Sequence, residues 1–196
     1  MSLGPSYFDA LYSCERDPWG FESSAYERAK YTATLAALPR RRYRQALEIG
    51  CSIGVLTAQL AGRCDALVAV DGAEAALAEA RRRCATLPQV RIESAWVPGR
   101  WPQAAGGFDL ILLSEVLYYL DLTDIARLVE RIRLTARPGA DIVAVHWTGA
   151  TDYPLTADAA LQGLSAALGT GADLLLHRRH PRYRIDVLRL ATPASQ

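Results

Sequence analysis

The stretch Ala46-Leu47-Glu48-Ile49-Gly50-Cys51-Ser52-Ile53-Gly54-Val55 decides the fold of this 196-residue chain. A short apolar strand runs into a turn bounded by Gly50 and Gly54, and a helix follows the turn. A second apolar strand over 67–70 ends at Asp71, and a carboxylate at that position accepts hydrogen bonds from a ribose diol. This layout predicts a nucleoside-binding crevice at the edge of a parallel α/β sheet.

Two glycines missing from this turn narrow the class of nucleoside. A dinucleotide crevice requires the pattern G-x-G-x-x-G, in which further glycines let the backbone approach a pyrophosphate closely. Ser52 and Val55 stand where those glycines would be, and no Gly-Lys-Ser/Thr phosphate loop follows. The pattern therefore disfavours an NAD-dependent oxidoreductase and favours a ligand that has a ribose but no phosphate.

Alternating apolar and helical segments predict a parallel sheet covered by helices. The continuous apolar run 108–113 indicates a central strand buried on both faces. Segments 173–177 and 183–190 are too close together for a crossover helix, so they pair antiparallel. The prediction is a Rossmann-like α/β fold: seven mostly parallel strands, helices on both faces and a C-terminal antiparallel hairpin. The other strands are expected at 45–49, 66–70, 90–94 and 140–145. Helices are expected at 23–38, 73–84, 121–134 and 156–168, and one more runs from the end of the first turn to residue 61.

Length and composition indicate one ordinary globular domain. We expect a single domain over 1–196, with a cap segment over 1–40 and the Rossmann-like core over 45–190. The net charge of +1 gives no electrostatic argument for nucleic acid, and no apolar run is long enough to span a membrane. Four cysteines without paired or metal-ligand spacing predict free thiols in a cytoplasmic protein and no bound metal. Residues 1–4 read as a short expression leader without a role in the fold.

Several segments of the chain resemble a known family of enzymes. The turn, Asp71 and the run Phe108-Asp109-Leu110-Ile111 resemble the class I S-adenosylmethionine-dependent methyltransferases. Within that class, residues 7–12 (YFDALY), 17–21 (DPWGF), 24–31 (SAYERAKY) and 113–120 (LSEVLYYL) resemble the NodS group of nodulation methyltransferases. The similarity covers residues 7–135 and fades in the C-terminal third.

The resemblance implies S-adenosyl-L-methionine as the cofactor and S-adenosyl-L-homocysteine as its product. It also implies N-methylation of an amino sugar or another small-molecule amine. O-methylation of a sugar or small metabolite, and a catalytically silent cofactor-binding protein, remain alternatives, and the oligomeric state is left open. The resemblance assigns the cofactor to the first turn, to the ribose acid and its neighbour, and to the end of the fourth strand, namely Glu48, Gly50, Cys51, Ser52, Gly54, Asp71, Gly72 and Ser114.

Two groups of residues complete the predicted cofactor site. Tyr26 and Lys30 are four residues apart and share a helical face, from which they could hold the methionine carboxylate while Trp19 closes over the cofactor. The opposite interpretation is an aromatic helix that only packs on the core. Many relatives have an aspartate after the third strand to bind adenine, whereas this chain has Ala95 and Trp96 there.

The acceptor side is defined by residues that follow the fourth and fifth strands. Glu115 either accepts a proton from the acceptor amine or only faces a helix dipole, and His146 is either a base or a structural residue. Tyr118 is a candidate wall of the acceptor pocket, and Asp152 and Tyr153 are candidate sugar-binding groups.

Overall fold

The computed structural model describes residues 1–192 and contains one seven-stranded sheet. The strands are β1 (Ala46–Ile49), β2 (Leu67–Asp71), β3 (Val90–Ser94), β4 (Phe108–Ser114), β5 (Ala136–Trp147), β6 (Ala172–Arg179) and β7 (Tyr183–Leu190). Their order across the sheet is β3-β2-β1-β4-β5-β7-β6. Only β7 runs against its neighbours β5 and β6, which confirms the predicted mostly parallel sheet with a terminal hairpin.

Six α-helices connect or flank the strands in the described part of the chain. They are α1 (Pro5–Cys14), α2 (Ala25–Ala37), α3 (Val55–Leu60), α4 (Glu74–Arg83), α5 (Leu122–Thr135) and α6 (Ala157–Leu168). Side chains cap three of them: Ser24, Asp121 and Thr156 each accept a hydrogen bond from the backbone N–H three residues on, at 3.0–3.3 Å. None of these helices is long and apolar enough to cross a membrane.

The alternation of side chains along β4 divides the core between the two faces of the sheet. Ile111 and Leu113 belong to the apolar cluster that α5 and α6 cover, whereas Leu110 and Leu112 belong to the cluster that α2 and α3 cover. All seven residues of β4 are buried. The continuous apolar run in the sequence thus reflects a strand with helices on both sides, as predicted.

Three expectations about the fold were wrong. The sequence predicted no helix before residue 23, yet Pro5–Cys14 is a helix that buries Tyr12. Residues 1–4 do take part in the fold, contrary to expectation. The Leu3 N–H donates to the Tyr119 carbonyl at 2.9 Å, and the Ser2 hydroxyl donates to Asp124. Finally, β5 begins at Ala136 rather than at 140, because the chain resumes pairing with β4 at once through an irregular register.

Candidate functional site

A cavity of about 470 Å³ opens at the carboxyl ends of the parallel strands. This is the edge at which ligands bind to open α/β sheets. One side is the end of β1 and β2 with Gly50, Ser52 and Asp71, and the other is the end of β4 with Ser114 and Glu115. Helices α1 and α2 and the segment between them cover it with aromatic side chains, namely Phe8, Tyr12, Trp19, Phe21 and Tyr26.

Asp71 fastens the first turn and still faces the cavity. One carboxylate oxygen accepts the Ser52 N–H at 2.9 Å, and the other accepts the Ala73 N–H at 3.0 Å. Burial raises the pKa of Asp71, and hydrogen bonds from the backbone of Ala73 and Ser52 oppose that rise. Because a carboxylate has about four acceptor positions, each oxygen can still accept a hydrogen bond from a ribose hydroxyl.

The backbone of the first turn is held in unusual conformations. Gly50 has φ +81°, and a Cβ atom there would lie 2.3 Å from the Val116 side chain. Ser52 has φ +49°, uncommon for a residue other than glycine, and its hydroxyl hydrogen-bonds to the Tyr12 hydroxyl of α1. The turn is therefore braced from α1, a contact that the sequence did not indicate.

Three predicted cofactor residues lie behind the cavity wall rather than in it. Glu48 and Cys51 are buried beneath the turn, and neither lines the cavity. A Cβ atom on Gly54 would lie 3.0 Å from the Ala80 backbone, so this glycine allows α3 and α4 to pack closely. Burial raises the pKa of Glu48 to about 7, while Thr57 partly opposes the rise. These residues support the turn from beneath, and Glu48 and Cys51 line a smaller adjoining cavity of about 30 Å³.

Trp96 and Gly72 lie together on the β2 side of the cavity. A Cβ atom on Gly72 would fall 2.1 Å from the Trp96 ring, so only glycine allows the indole to lie there. Ala95 and Trp96 line the cavity, and Phe8 meets the Trp96 ring edge-on at 5.7 Å. An aromatic wall thus follows β3 on this side of the cavity.

Lys30 is bound by two carboxylates. Its ammonium nitrogen lies 2.6 Å from Glu115 Oε1 and 2.9 Å from Glu27 Oε2, and its side chain is only 4% exposed. Burial lowers the pKa of Lys30, but Glu115 and Glu27 raise it more strongly, so the ammonium stays charged. The three side chains, here called the Lys30 cluster, carry a net charge of −1 when ionised. Both ion pairs of Lys30 are thus made within the protein, while its predicted role, shared with Tyr26, in holding the methionine carboxylate stays a prediction.

Glu115 is anchored by hydrogen bonds at both carboxylate oxygens. Besides Lys30 on Oε1, its Oε2 accepts the Tyr118 hydroxyl at 2.5 Å and the Trp147 N–H at 2.8 Å. Burial raises the pKa of Glu115, but the charge of Lys30 outweighs it and the pKa falls below its usual value. A carboxylate held in this way is a weak base, and its hydrogen bonds tie the end of β4 to α2 and to β5.

His146 does not reach the cavity. It is 0% exposed, and its Nε2 accepts the Leu117 N–H at 3.0 Å, which places the proton on Nδ1. Burial lowers the pKa of His146 to about 4, so the ring is neutral at physiological pH. Within residues 1–192 the Nδ1 atom has no hydrogen-bond partner. The interpretation as a structural residue fits this geometry, and the interpretation as a catalytic base does not.

The acceptor side of the cavity is aromatic. Tyr118 stacks on Tyr153 with ring centroids 5.1 Å apart, and both line the cavity with Tyr119 and Trp147. Asp152 is exposed and does not line the cavity, so the structure does not support its predicted contact with the acceptor. Sequence reasoning also missed Glu27, Thr151 and Arg182 as lining residues.

No cluster of three or more metal-ligating side chains occurs among the residues that the structure describes. The cavity instead offers the Asp71 carboxylate at the end of β2, the buried Tyr26 hydroxyl, and the ring faces of Trp19 and Trp96. These groups suit an organic ligand with a ribose and a flat base. The donor set therefore fits the nucleoside class that the sequence predicted.

Comparison with known proteins shows which family this chain resembles. The family model described as Nodulation protein S (NodS) matches residues 12–140. Nodulation protein S of Rhizobium tropici is 31% identical over 131 residues, which are 65% of this chain and 53% of that protein. The chain spans about half the length of the curated relatives it matches.

Solved structures extend the comparison over most of the fold. A Pseudomonas syringae protein assigned as a methyltransferase is 38% identical, with a TM-score of 0.73, covering 85% of this chain and 99% of that one. The N-methyltransferase NodS from Bradyrhizobium japonicum WM9, in complex with S-adenosyl-L-homocysteine, is 22% identical with a TM-score of 0.78, covering 93% and 98%. At that identity it shows the shared fold alone. The fold is thus the Rossmann-like fold of methyltransferases, and the chain belongs to the NodS family.

Proposed function

We propose that this protein transfers a methyl group from S-adenosyl-L-methionine to the nitrogen of a small-molecule amine, such as an amino sugar. The observation that carries the proposal is the single cavity that joins Asp71 at the end of β2 to Glu115 at the end of β4. It offers a ribose acceptor at one end and an anionic, aromatic chamber at the other. Family membership and the cofactor bound by the Bradyrhizobium japonicum neighbour support the cofactor assignment.

The residues that would hold the cofactor follow from the cavity wall. Asp71 accepts hydrogen bonds from the ribose, Trp96 provides a flat surface for the adenine, and Trp19 covers the site. Bound S-adenosylmethionine supplies a methyl group on a positively charged sulfur, and its transfer leaves S-adenosylhomocysteine and one proton from the acceptor nitrogen. The chain has to align the amine with that methyl group, and alignment alone can contribute about 7–11 kcal/mol.

The Lys30 cluster supports an amine acceptor. Its net negative charge lies beside the cavity, where it stabilises a nitrogen that becomes positive as it is methylated. Faces of Tyr118, Tyr153 and Trp147 surround the same region, and aromatic faces attract organic cations. A hydroxyl oxygen loses its proton as it is methylated, so the resulting ether is neutral. The negative charge of the cluster therefore favours methylation of nitrogen over methylation of oxygen.

Glu27 is the better proton acceptor in this arrangement. It lines the cavity, and burial raises its pKa above the usual value although Lys30 partly opposes that rise. Glu115 has a lowered pKa, and His146 lies outside the cavity. A carboxylate with a raised pKa takes a proton from an ammonium group more readily, as a general base should.

Calorimetry with S-adenosylhomocysteine tests the cofactor assignment. We expect a dissociation constant of about 10 µM or lower, and Asp71→Asn should weaken binding about 10- to 100-fold, because a hydrogen bond to a charged group is lost. Asp65→Asn, which changes a carboxylate paired with Arg42 outside the cavity, is the matched control. Absence of any binding to the wild-type protein would overturn the methyltransferase proposal.

Product analysis tests the acceptor atom. Glucosamine should gain one methyl group on nitrogen, detected by mass and fragmentation, whereas N-acetylglucosamine should gain none. Methyl transfer to a hydroxyl in both sugars would favour the O-methyltransferase alternative. Cofactor binding without turnover of any amine or hydroxyl acceptor would favour a silent cofactor-binding protein.

A further inference from the structure

A basic segment runs from the end of β6 through the connecting turn to the start of β7, at the rim of the cavity. Residues 178–184 read Arg-Arg-His-Pro-Arg-Tyr-Arg. Arg179 and Arg184 are neutralised, since both pair with Asp158 at 2.9 and 2.6 Å, and Arg184 also pairs with Asp186. Arg182 differs from them because it lines the cavity and forms no ion pair within residues 1–192.

The backbone of Arg182 is fixed while its side chain is available. The Thr148 N–H donates to the Arg182 carbonyl at 2.9 Å, and Tyr183 then begins β7 beside Trp147 of β5. The turn that contains Arg182 is therefore bound to the end of β5, which borders the acceptor side of the cavity. An exposed guanidinium on a fixed backbone is placed over the cavity mouth without an internal partner.

Tyr26 presents a buried hydroxyl to the same region. Its ring lies edge-on between Trp147 at 5.8 Å and Tyr183 at 5.9 Å. Its hydroxyl is buried without a hydrogen-bond partner in the part of the chain that the structure describes. Burial and the nearby carboxylates of Glu115 and Glu27 raise the pKa of Tyr26, and the charge of Arg182 opposes that rise. A buried donor left unmatched costs about 1–3 kcal/mol, which a ligand oxygen would offset.

The order of the strands separates these groups from the cofactor end of the cavity. Asp71 ends β2, and Tyr183 begins β7, which is the fourth strand after β2 across the sheet. Adjacent strands are about 4.8 Å apart, so the start of β7 lies roughly 19 Å from the ribose end and roughly 10 Å beyond the end of β4. That position is past the point where the methyl group would be delivered, on the acceptor's side.

We propose that Arg182 and Tyr26, together with the cavity-lining hydroxyl of Thr151, form a subsite for a carboxylate or phosphate group on the methyl acceptor. This rests on the proposed function and narrows its substrate class to a small amine that also carries an anionic group, so glucosamine should be a weaker acceptor than its phosphate ester. The guanidinium and two hydroxyls supply donors that match the several oxygens of either anion. The amine end faces the Lys30 cluster, and the anionic end faces the rim.

Binding of simple anions to the S-adenosylhomocysteine-loaded protein tests this subsite. Inorganic phosphate and succinate are titrated at constant ionic strength, and the tighter of the two identifies the preferred anion. Arg182→Gln should weaken binding of that anion about tenfold or more, and Tyr26→Phe should weaken it less, because only a neutral donor is lost. Arg178→Gln is the matched control, since this arginine lies in the same basic segment but does not line the cavity.

Three results would overturn the subsite. The first is that neither anion binds the loaded wild-type protein. The second is that Arg178→Gln and Arg182→Gln weaken anion binding equally. That would mean that the positive charge of the whole segment attracts the anion and that no specific site exists. The third is that Arg182→Gln weakens binding of S-adenosylhomocysteine itself, which would assign the Arg182 guanidinium to the cofactor site. Loss of cofactor binding in the wild-type protein, with Arg182-dependent anion binding retained in the unloaded protein, would instead contradict the proposed function alone.

Discussion

Glu48 and His146 are buried groups whose pKa values move in opposite directions. Burial raises the pKa of Glu48 from 4.5 to about 7 and lowers that of His146 from 6.5 to about 4. Glu48 therefore contributes stability below pH 4.5 that is lost as the pH rises to 7. His146 contributes stability above pH 6.5 that is lost as the pH falls to 4. Each effect is on the order of 3 kcal/mol, so they largely cancel between pH 4.5 and 6.5.

Single substitutions should separate the two effects. In Glu48→Gln the free energy of unfolding should rise more steeply with pH than in the wild-type protein between about 4 and 6.5, because the histidine contribution is no longer offset by Glu48. In His146→Gln it should fall between about 4.5 and 7. Urea denaturation across this pH range measures both slopes. If both variants keep the wild-type profile, neither group titrates in the folded protein as the structure implies.

Individual residues also show where sequence reasoning succeeds and where it stops. Asp71 and Gly50 could be placed at the crevice, because strand ends and tight turns leave a local signature. The direction of a side chain at a strand end leaves none, so His146 was as plausible facing the cavity as facing the Leu117 backbone. Arg182 could not be found because its nearness to Tyr26 depends on the position of β7 beside β5.

At the scale of elements, the Lys30 cluster joins α2 to the end of β4. Lys30→Met should destabilise the protein by about 3–5 kcal/mol, because it leaves two buried carboxylates without their cation. The double variant Lys30→Met with Glu115→Gln should recover part of that loss, since one unpaired charge is removed. Urea denaturation of the single and double variants measures the coupling.

The control for this prediction is an exposed ion pair of the same spacing. Arg127 pairs with Asp124 on α5, and its side chain is 66% exposed. Arg127→Met should change the stability by about 0.5 kcal/mol or less. A Lys30→Met variant as stable as Arg127→Met would show that the cluster does not hold α2 in place.

Elements differed in how well the sequence predicted them. β4 was predicted closely because helices on both faces demand a continuous apolar run, and the hairpin of β6 and β7 was predicted because its connection is too short for a helix. Helix α1 was not predicted, because it buries only Tyr12 and otherwise packs aromatic rings against the cavity and Tyr119. A helix with so few buried positions shows no clear apolar periodicity.

For the whole molecule, the cavity lies between the sheet edge and the covering helices, so its ligand should stabilise both. S-adenosylhomocysteine at about 100 times its dissociation constant should add roughly 2.7 kcal/mol to the free energy of unfolding. We expect slower amide hydrogen exchange in α1 and α2 as well as at the ends of β1 and β2. The Asp71→Asn variant at the same ligand concentration is the control. Protection limited to the strand ends would mean that the helices do not close on the ligand.

The direction of β7 has a practical consequence for fusion proteins. Because β7 starts at the cavity edge with Tyr183 opposite Trp147 and runs to Arg189 opposite Asp141, the chain leaves it on the far edge of the sheet. Leu3, by contrast, lines the cavity and is tied to Tyr119. An affinity tag or fluorescent reporter attached after β7 therefore starts away from the ligand, whereas one attached ahead of Leu3 starts at the mouth of the site.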